Sequence, residues 1–153
     1  MIEFVVIVPV MLVILLGMID LGRAFVFGVA IQDGAREAAR LAERSATDVN
    51  VTDAAVMSRL VTASSPALTN CPTSLGSHTG CGGGDWTFSV AITTPNGTSY
   101  TSIDAAKADT NFPGSTLTVT ARGSVSLLAG VKTSWGMGLF PITVQGMSEM
   151  VVL

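Results

Sequence analysis

The chain changes character twice along its length. Residues Phe4 to Ile19 form an uncharged, largely apolar run headed by Glu3, and Asp20 and Arg23 follow it three residues apart. As a helix this run measures ~24 Å at ~1.5 Å per residue, short of a ~30 Å hydrocarbon layer, but continuation through Asp20 and Arg23 to Ile31 gives length to spare. At i,i+3 the two charged side chains share a helix face and can pair, which makes them tolerable near a membrane boundary. Pro9 removes one helical hydrogen bond, to Val5, so a kink or a short unwound stretch is expected there.

Beyond the membrane-length part, AIQDGAREAARLAERSA continues the helix with a different surface. Ala30, Gly34, Ala38, Ala42 and Ala46 recur every fourth residue and form a nearly straight ridge of small side chains, where another helix can approach closely. Asp33 with Arg36, Glu37 with Arg40, and Arg40 with Glu43 fall at i,i+3 on the remaining faces, as in a solvated, charge-paired surface.

After about Ser45 the pattern is that of an ordinary water-facing domain. Thr52 before DAAVMSRLVTAS reads as the cap of a short helix whose inner face draws on Ala55, Val56, Leu60 and Ala63. Residues Ser64 to Asp85 are rich in Ser, Thr, Gly and Pro and read as loop. WTFSVAITT alternates, with Trp86, Phe88, Val90 and Ile92 on one side, and PNG at 95–97 turns the chain into TSYTSI. A third strand is expected in TLTVTARGSVSLLAG, with Gly123 as a bulge, and a last one from about Phe140 to Leu153. The fold expected is α+β: a long hydrophobic N-terminal helix over residues 1–46, then a head over 47–153. The head would hold a short helix and an antiparallel sheet of about four strands packed on the helix's outer half.

Composition narrows the function. Of 153 residues 12 % are charged and 48 % hydrophobic, which is not a disordered chain, and the net charge of −3 offers no footprint for a nucleic-acid backbone. The apolar run is a poor secretory signal, because its tip is acidic, no Lys or Arg precedes it and the helical pattern continues past it. It is expected to be retained in the mature protein. With no basic residue ahead of it to set topology, either a leader has been removed or the precursor's first residues are missing before Met1. His78 is the single histidine, no G-x-S-x-G elbow or phosphate-binding glycine loop is present, and Asp85, Asp104, Asp109 and Glu149 are isolated in sequence. Neither catalysis nor a cofactor is expected. Two N-x-T triplets, at Asn50 and Asn96, match a pattern frequent by chance. GVKTSWGMGLF, from Gly130 to Phe140, places Trp135, Met137, Leu139 and Phe140 in a segment expected to complete the core or meet another subunit.

An acid at the tip, an aliphatic run with an internal Pro, GMIDLGRAF and AIQDGAREAARLA occur here in one order. Together they resemble the N-terminal helix of TadE-like pilins and pseudopilins, the minor-pilin family of tight-adherence (Flp-type) pili. The resemblance covers roughly the first 45 residues. It implies a precursor cut by an aspartyl prepilin peptidase in the inner membrane and extracted by an assembly machine into an extracellular filament of many copies. It also implies that the carboxylate corresponding to Glu3 neutralises the N-terminal amine of a neighbouring subunit, since a buried acid is costly unless paired. In related pilins the acid stands five residues after the cut, and here it is the third residue. A second reading of Glu3 stays open, in which it only favours the helix N-terminus through the dipole. On this resemblance Glu3, Pro9, Asp20, Arg23, Ala30, Gly34, Ala38 and Ala42 are the expected assembly residues, and the chain is a filament subunit, with a minor pseudopilin, a membrane-anchored assembly factor or a tip adhesin as alternatives.

Cys71 and Cys81 close a ten-residue interval in CPTSLGSHTGC. In an exported domain this pair reads as a disulfide that pins the loop. A zinc site built from Cys71, His78 and Cys81 would be one ligand short of a structural one, so no metal is expected.

Overall fold

Helix α1 (Ile2–Glu43) runs without a break through Pro9 and ends in a single tight turn, Arg44–Ala46. The unwound stretch expected at Pro9 is not formed, since proline removes one i→i−4 bond and the turns on either side keep theirs. The computed structural model describes residues 2–82, 84–126 and 141–153. The segment carrying Trp135, Met137, Leu139 and Phe140 lies outside the described residues.

Helix α2 (Asp53–Ala63) begins where the sequence signals it, with the Ala55 N–H donating to Thr52 Oγ1 at 3.3 Å. It buries Val56, Met57 and Leu60, with Ala55 and Ala63 half-buried. Among the described residues five strands follow: β1 (Gly76–Cys81), β2 (Gly84–Thr93), β3 (Ser99–Tyr100), β4 (Thr116–Ser126) and β5 (Pro141–Val151). The sheet is antiparallel in the order β1-β2-β4-β5, with β3 sharing the outer edge of β2 with β1. A four-residue helix, α3 (Ile103–Ala106), stands between β3 and β4.

Two elements depart from the expectation. β1 lies inside the Gly- and Ser-rich stretch read as loop; it is an exposed edge strand held by pairing to β2, so it needs no alternating apolar face. TSYTSI is a two-residue strand followed by a helix start, because Ser102 accepts the Ala105 N–H at 3.3 Å and caps α3. Asp53 also reaches α3, accepting from the Ile103 N–H at 2.8 Å and from the Ser102 hydroxyl. Lys107 donates to the carbonyls of Asp48, Asp48's neighbour Val49, and Val51, the last at 2.6 Å, which ties α3 to the turn between α1 and α2.

One face of the sheet presents Trp86, Phe88, Val90, Ile92, Leu117, Val119 and Ala121 to the core, as the alternation predicts. α1 lies on this face. β5 runs alongside it in the same direction: Gly28 is near Val144, the Gln32 amide exchanges hydrogen bonds with Met147 N and O, and the Leu153 N–H donates to the Glu43 carbonyl. Gln32 thereby satisfies the outward backbone groups of Met147 on the edge of β5. A division at residue 46 separates helix from sheet along the chain, but Ile31, Ala38, Ala39 and Ala42 belong to the head's own core.

Gly123 is not a bulge. β4 keeps an unbroken register with β2 and β5, and Gly123 sits opposite Trp86, whose indole lies where a Cβ would stand. Glycine is needed for space and not for backbone freedom. Gly123→Ala is therefore expected to force the Trp86 ring from its place and lower stability by about 1–3 kcal/mol. Urea unfolding followed by tryptophan fluorescence measures this, and an unchanged midpoint would refute the packing argument.

Candidate assembly helix

The first half of α1 is left bare by its own head. Every large apolar side chain described from Phe4 to Leu21 is between 42 % and 75 % exposed. The helix contains an 18-residue window of mean hydropathy 2.2, of which 11 % is buried, the opposite of a core helix in a water-soluble domain. Gly17 and Gly22 have open space where a Cβ would stand, so another backbone could approach there. Glu3 lies in the first turn of this helix; its side chain is outside the described residues.

Asp20 and Arg23 mark the change of surroundings. Asp20 is buried, while Arg23 is exposed and places its guanidinium 6.0 Å from the centre of the Phe27 ring.

The small-residue ridge does make a helix–helix contact, and it makes it inside the chain. Gly34 faces α2 so closely that a Cβ would overlap the Ser64 hydroxyl and lie 2.9 Å from the Leu60 carbonyl oxygen. Ala38 and Ala42 are fully buried in the same core, and Ala30 is half-buried. The three inner members of the row are thus occupied by the head. A second row, Ile31, Ala35, Ala39 and Ala42, is also fully buried. Its spacing was legible in the sequence, but the single ridge at every fourth position drew the reading away from it.

The third face of α1 is charged and solvated. Asp33 pairs with Arg36 at 3.5 Å and Glu37 with Arg40 at 3.7 Å, as the i,i+3 spacing predicts. Glu37 also receives a hydrogen bond from Arg59 of α2, which the sequence did not indicate. That bond, and the charge of the same guanidinium, hold the Glu37 carboxyl below its ordinary value. At the far end of the head the Asn111 backbone N–H and then the Tyr100 hydroxyl hold Asp109 below its ordinary value, and the same bond to Asp109 raises Tyr100.

The disulfide between Cys71 and Cys81 is formed, with Cα atoms 4.8 Å apart. It anchors the end of β1 to the loop before it. His78 bonds the Ser74 carbonyl at 2.8 Å and lies 5.5 Å from the Phe88 ring, covering the sheet's margin. Among the described residues no group of three or more His, Cys, Asp or Glu side chains is placed to hold a metal ion.

An exposed apolar helix, long and apolar enough to cross a membrane by length and composition, is continuous with a small α+β head. The model of the TadE-like protein family matches residues 1–40, the arm and most of the head-bound part of α1. The resemblance read from the first residues of the sequence is matched over that segment. No curated protein and no solved structure matches the chain.

The lowered carboxyls set a pH dependence. A folded-state value below the ordinary 4.5 of Glu37 and 3.8 of Asp109 contributes stability that is complete above those values and is lost as the pH falls through the lower folded ones. Stability should therefore decline on acidification from pH ~6 to ~3. Glu37→Gln and Asp109→Asn should each flatten that decline, measured as urea midpoints across the range, and an unaltered slope in both would refute the assignment.

Proposed function

We propose that this chain is a structural pilin subunit that polymerises through α1 into an extracellular Tad-like (type IV-like) filament. The observation that carries this reading is the division of one unbroken helix into a bare apolar arm and a half that forms the head's core. Supporting it, the TadE-like match over residues 1–40 associates this segment with Tad pilus components. A disulfide-pinned loop fits a head that works outside the reducing cytoplasm.

On this reading the inner membrane holds the arm before assembly. Prepilin peptidase and the pilus assembly machine are its partners at that stage, and other copies of the chain afterwards. Transfer from lipid to filament exchanges apolar neighbours for apolar neighbours, so hydrophobic burial does not oppose extraction, and close packing between arms favours the filament. Because Gly34, Ala38 and Ala42 are engaged inside the head, contact between copies falls to the arm, where Gly17 and Gly22 leave room. The head forms the outer surface, and we assign it no catalytic role, cofactor or nucleic-acid partner.

Mass spectrometry of filaments sheared from the cell surface tests this. We expect this chain to be the dominant component, and the mass of its N-terminal peptide to show where the mature chain begins. Recovery only from the membrane fraction would replace the filament subunit with a membrane-anchored assembly factor, and recovery at about one copy per fibre would replace it with a tip component.

A further inference from the structure

The two sides of α1 stop being apolar at different heights. At 3.6 residues per turn, Phe4, Met11, Met18, Phe25 and Val29 lie along one side of the helix. That side is uncharged until Asp33, and Arg36 and Arg40 continue it. The head leaves it bare: Phe25 is 73 % and Val29 47 % exposed. Two shallow grooves flank Val29, one bounded by Ala24, Gly28 and Gln32, the other by Val26, Ala30 and Ala63. The opposite side carries Asp20 and Arg23, then Phe27, Ile31 and Gly34. There the chain's own atoms already cover the helix at Asp20 and Ala24, both 8 % exposed, three and two turns before Ile31.

An upright helix cannot satisfy both sides. A boundary level with Asp20 would leave Phe25, Val26 and Val29 in water, and one level with Val29 would draw the buried Asp20 and the exposed Arg23 into hydrocarbon, where charges are costly. Inclination removes the conflict. The bare side from Phe4 to Val29 is ~37 Å long against a ~30 Å hydrocarbon layer, long enough to cross inclined, and the offset between the two sides sets which way the helix leans.

We infer that, before assembly, α1 crosses the bilayer strongly inclined, with the Phe25–Val29 side turned down onto lipid and the Asp20–Arg23 side turned up beneath the head. The lipid-facing surface is then an oblique strip that includes Phe25, Val26 and Val29. This rests on the reading that the arm resides in a membrane before assembly.

Solid-state NMR of the full-length ¹⁵N-labelled chain in oriented dioleoyl phosphatidylcholine bilayers reads both tilt and rotation of α1, after flotation with vesicles of the same lipid. Co-flotation with a tilt above the ~20° average of membrane helices and Val29 on the lower side is the expected result, and Val29→Lys should reduce the tilt by raising the bare side out of lipid. Co-flotation with a tilt at or below about 20°, or with the Asp20–Arg23 side lowermost, overturns the inference and leaves the membrane reading standing. Failure to float overturns both. Efficient disulfide cross-linking of Val29→Cys between copies at low protein-to-lipid ratio shows a second copy on this strip and overturns lipid as its occupant.

Discussion

The close approach of α1 to its two neighbours is the constraint on which the remaining architecture depends. A Cβ on Gly146 of β5 would lie 2.6 Å from the Ile31 carbonyl oxygen, and on the other side Gly34 admits the Ser64 and Leu60 positions of α2. Glycine at both contacts lets strand and helix close on α1 to backbone distance. Small side chains at Ala35, Ala38, Ala39 and Ala42 continue that fit along the helix. The head is thus assembled around a helix that does not end with it. Because α1 stays regular from the core into the arm, the direction in which the arm leaves the head is set by packing and not by a linker.

Polar contacts secure what the apolar ones position. Gln32 closes part of the β5 edge, Arg59 joins α2 to Glu37, and Lys107 draws its ammonium against backbone carbonyls of the turn after α1. Each joins an element late in the chain, or α2, to α1 or its exit. The disulfide acts elsewhere, on the exposed margin of the sheet, where β1 has little apolar surface to hold it.

Features set by local pattern were legible in the sequence, and features set by space were not. The Trp86–Ile92 alternation, the Thr52 cap, the long helix and the cysteine pair each carry their cause within a few residues, and each is found. β1 went unseen because an edge strand with polar faces leaves no periodic trace, and α3 because a single turn capped by Ser102 is shorter than any periodicity. Gly123 looked like a bulge since the sequence does not reveal which indole it faces. The row Ala30, Gly34, Ala38 and Ala42 signals a surface that a helix can approach closely, but periodicity cannot say whether that helix belongs to the same chain; at Gly34 it is α2. The arm itself was plain from hydropathy. Its oblique boundary required knowing which side the head covers.

The central claim is that one half of α1 belongs to the head's cooperative core while the other half does not. Amide hydrogen exchange of the full-length chain in detergent micelles, resolved by peptide, tests it most directly. Residues 31–43 are expected to exchange as slowly as β2 and β4 and to lose protection together with them as denaturant is added. Exchange of residues 31–43 well ahead of the sheet, at the pace of an isolated helix, would contradict it.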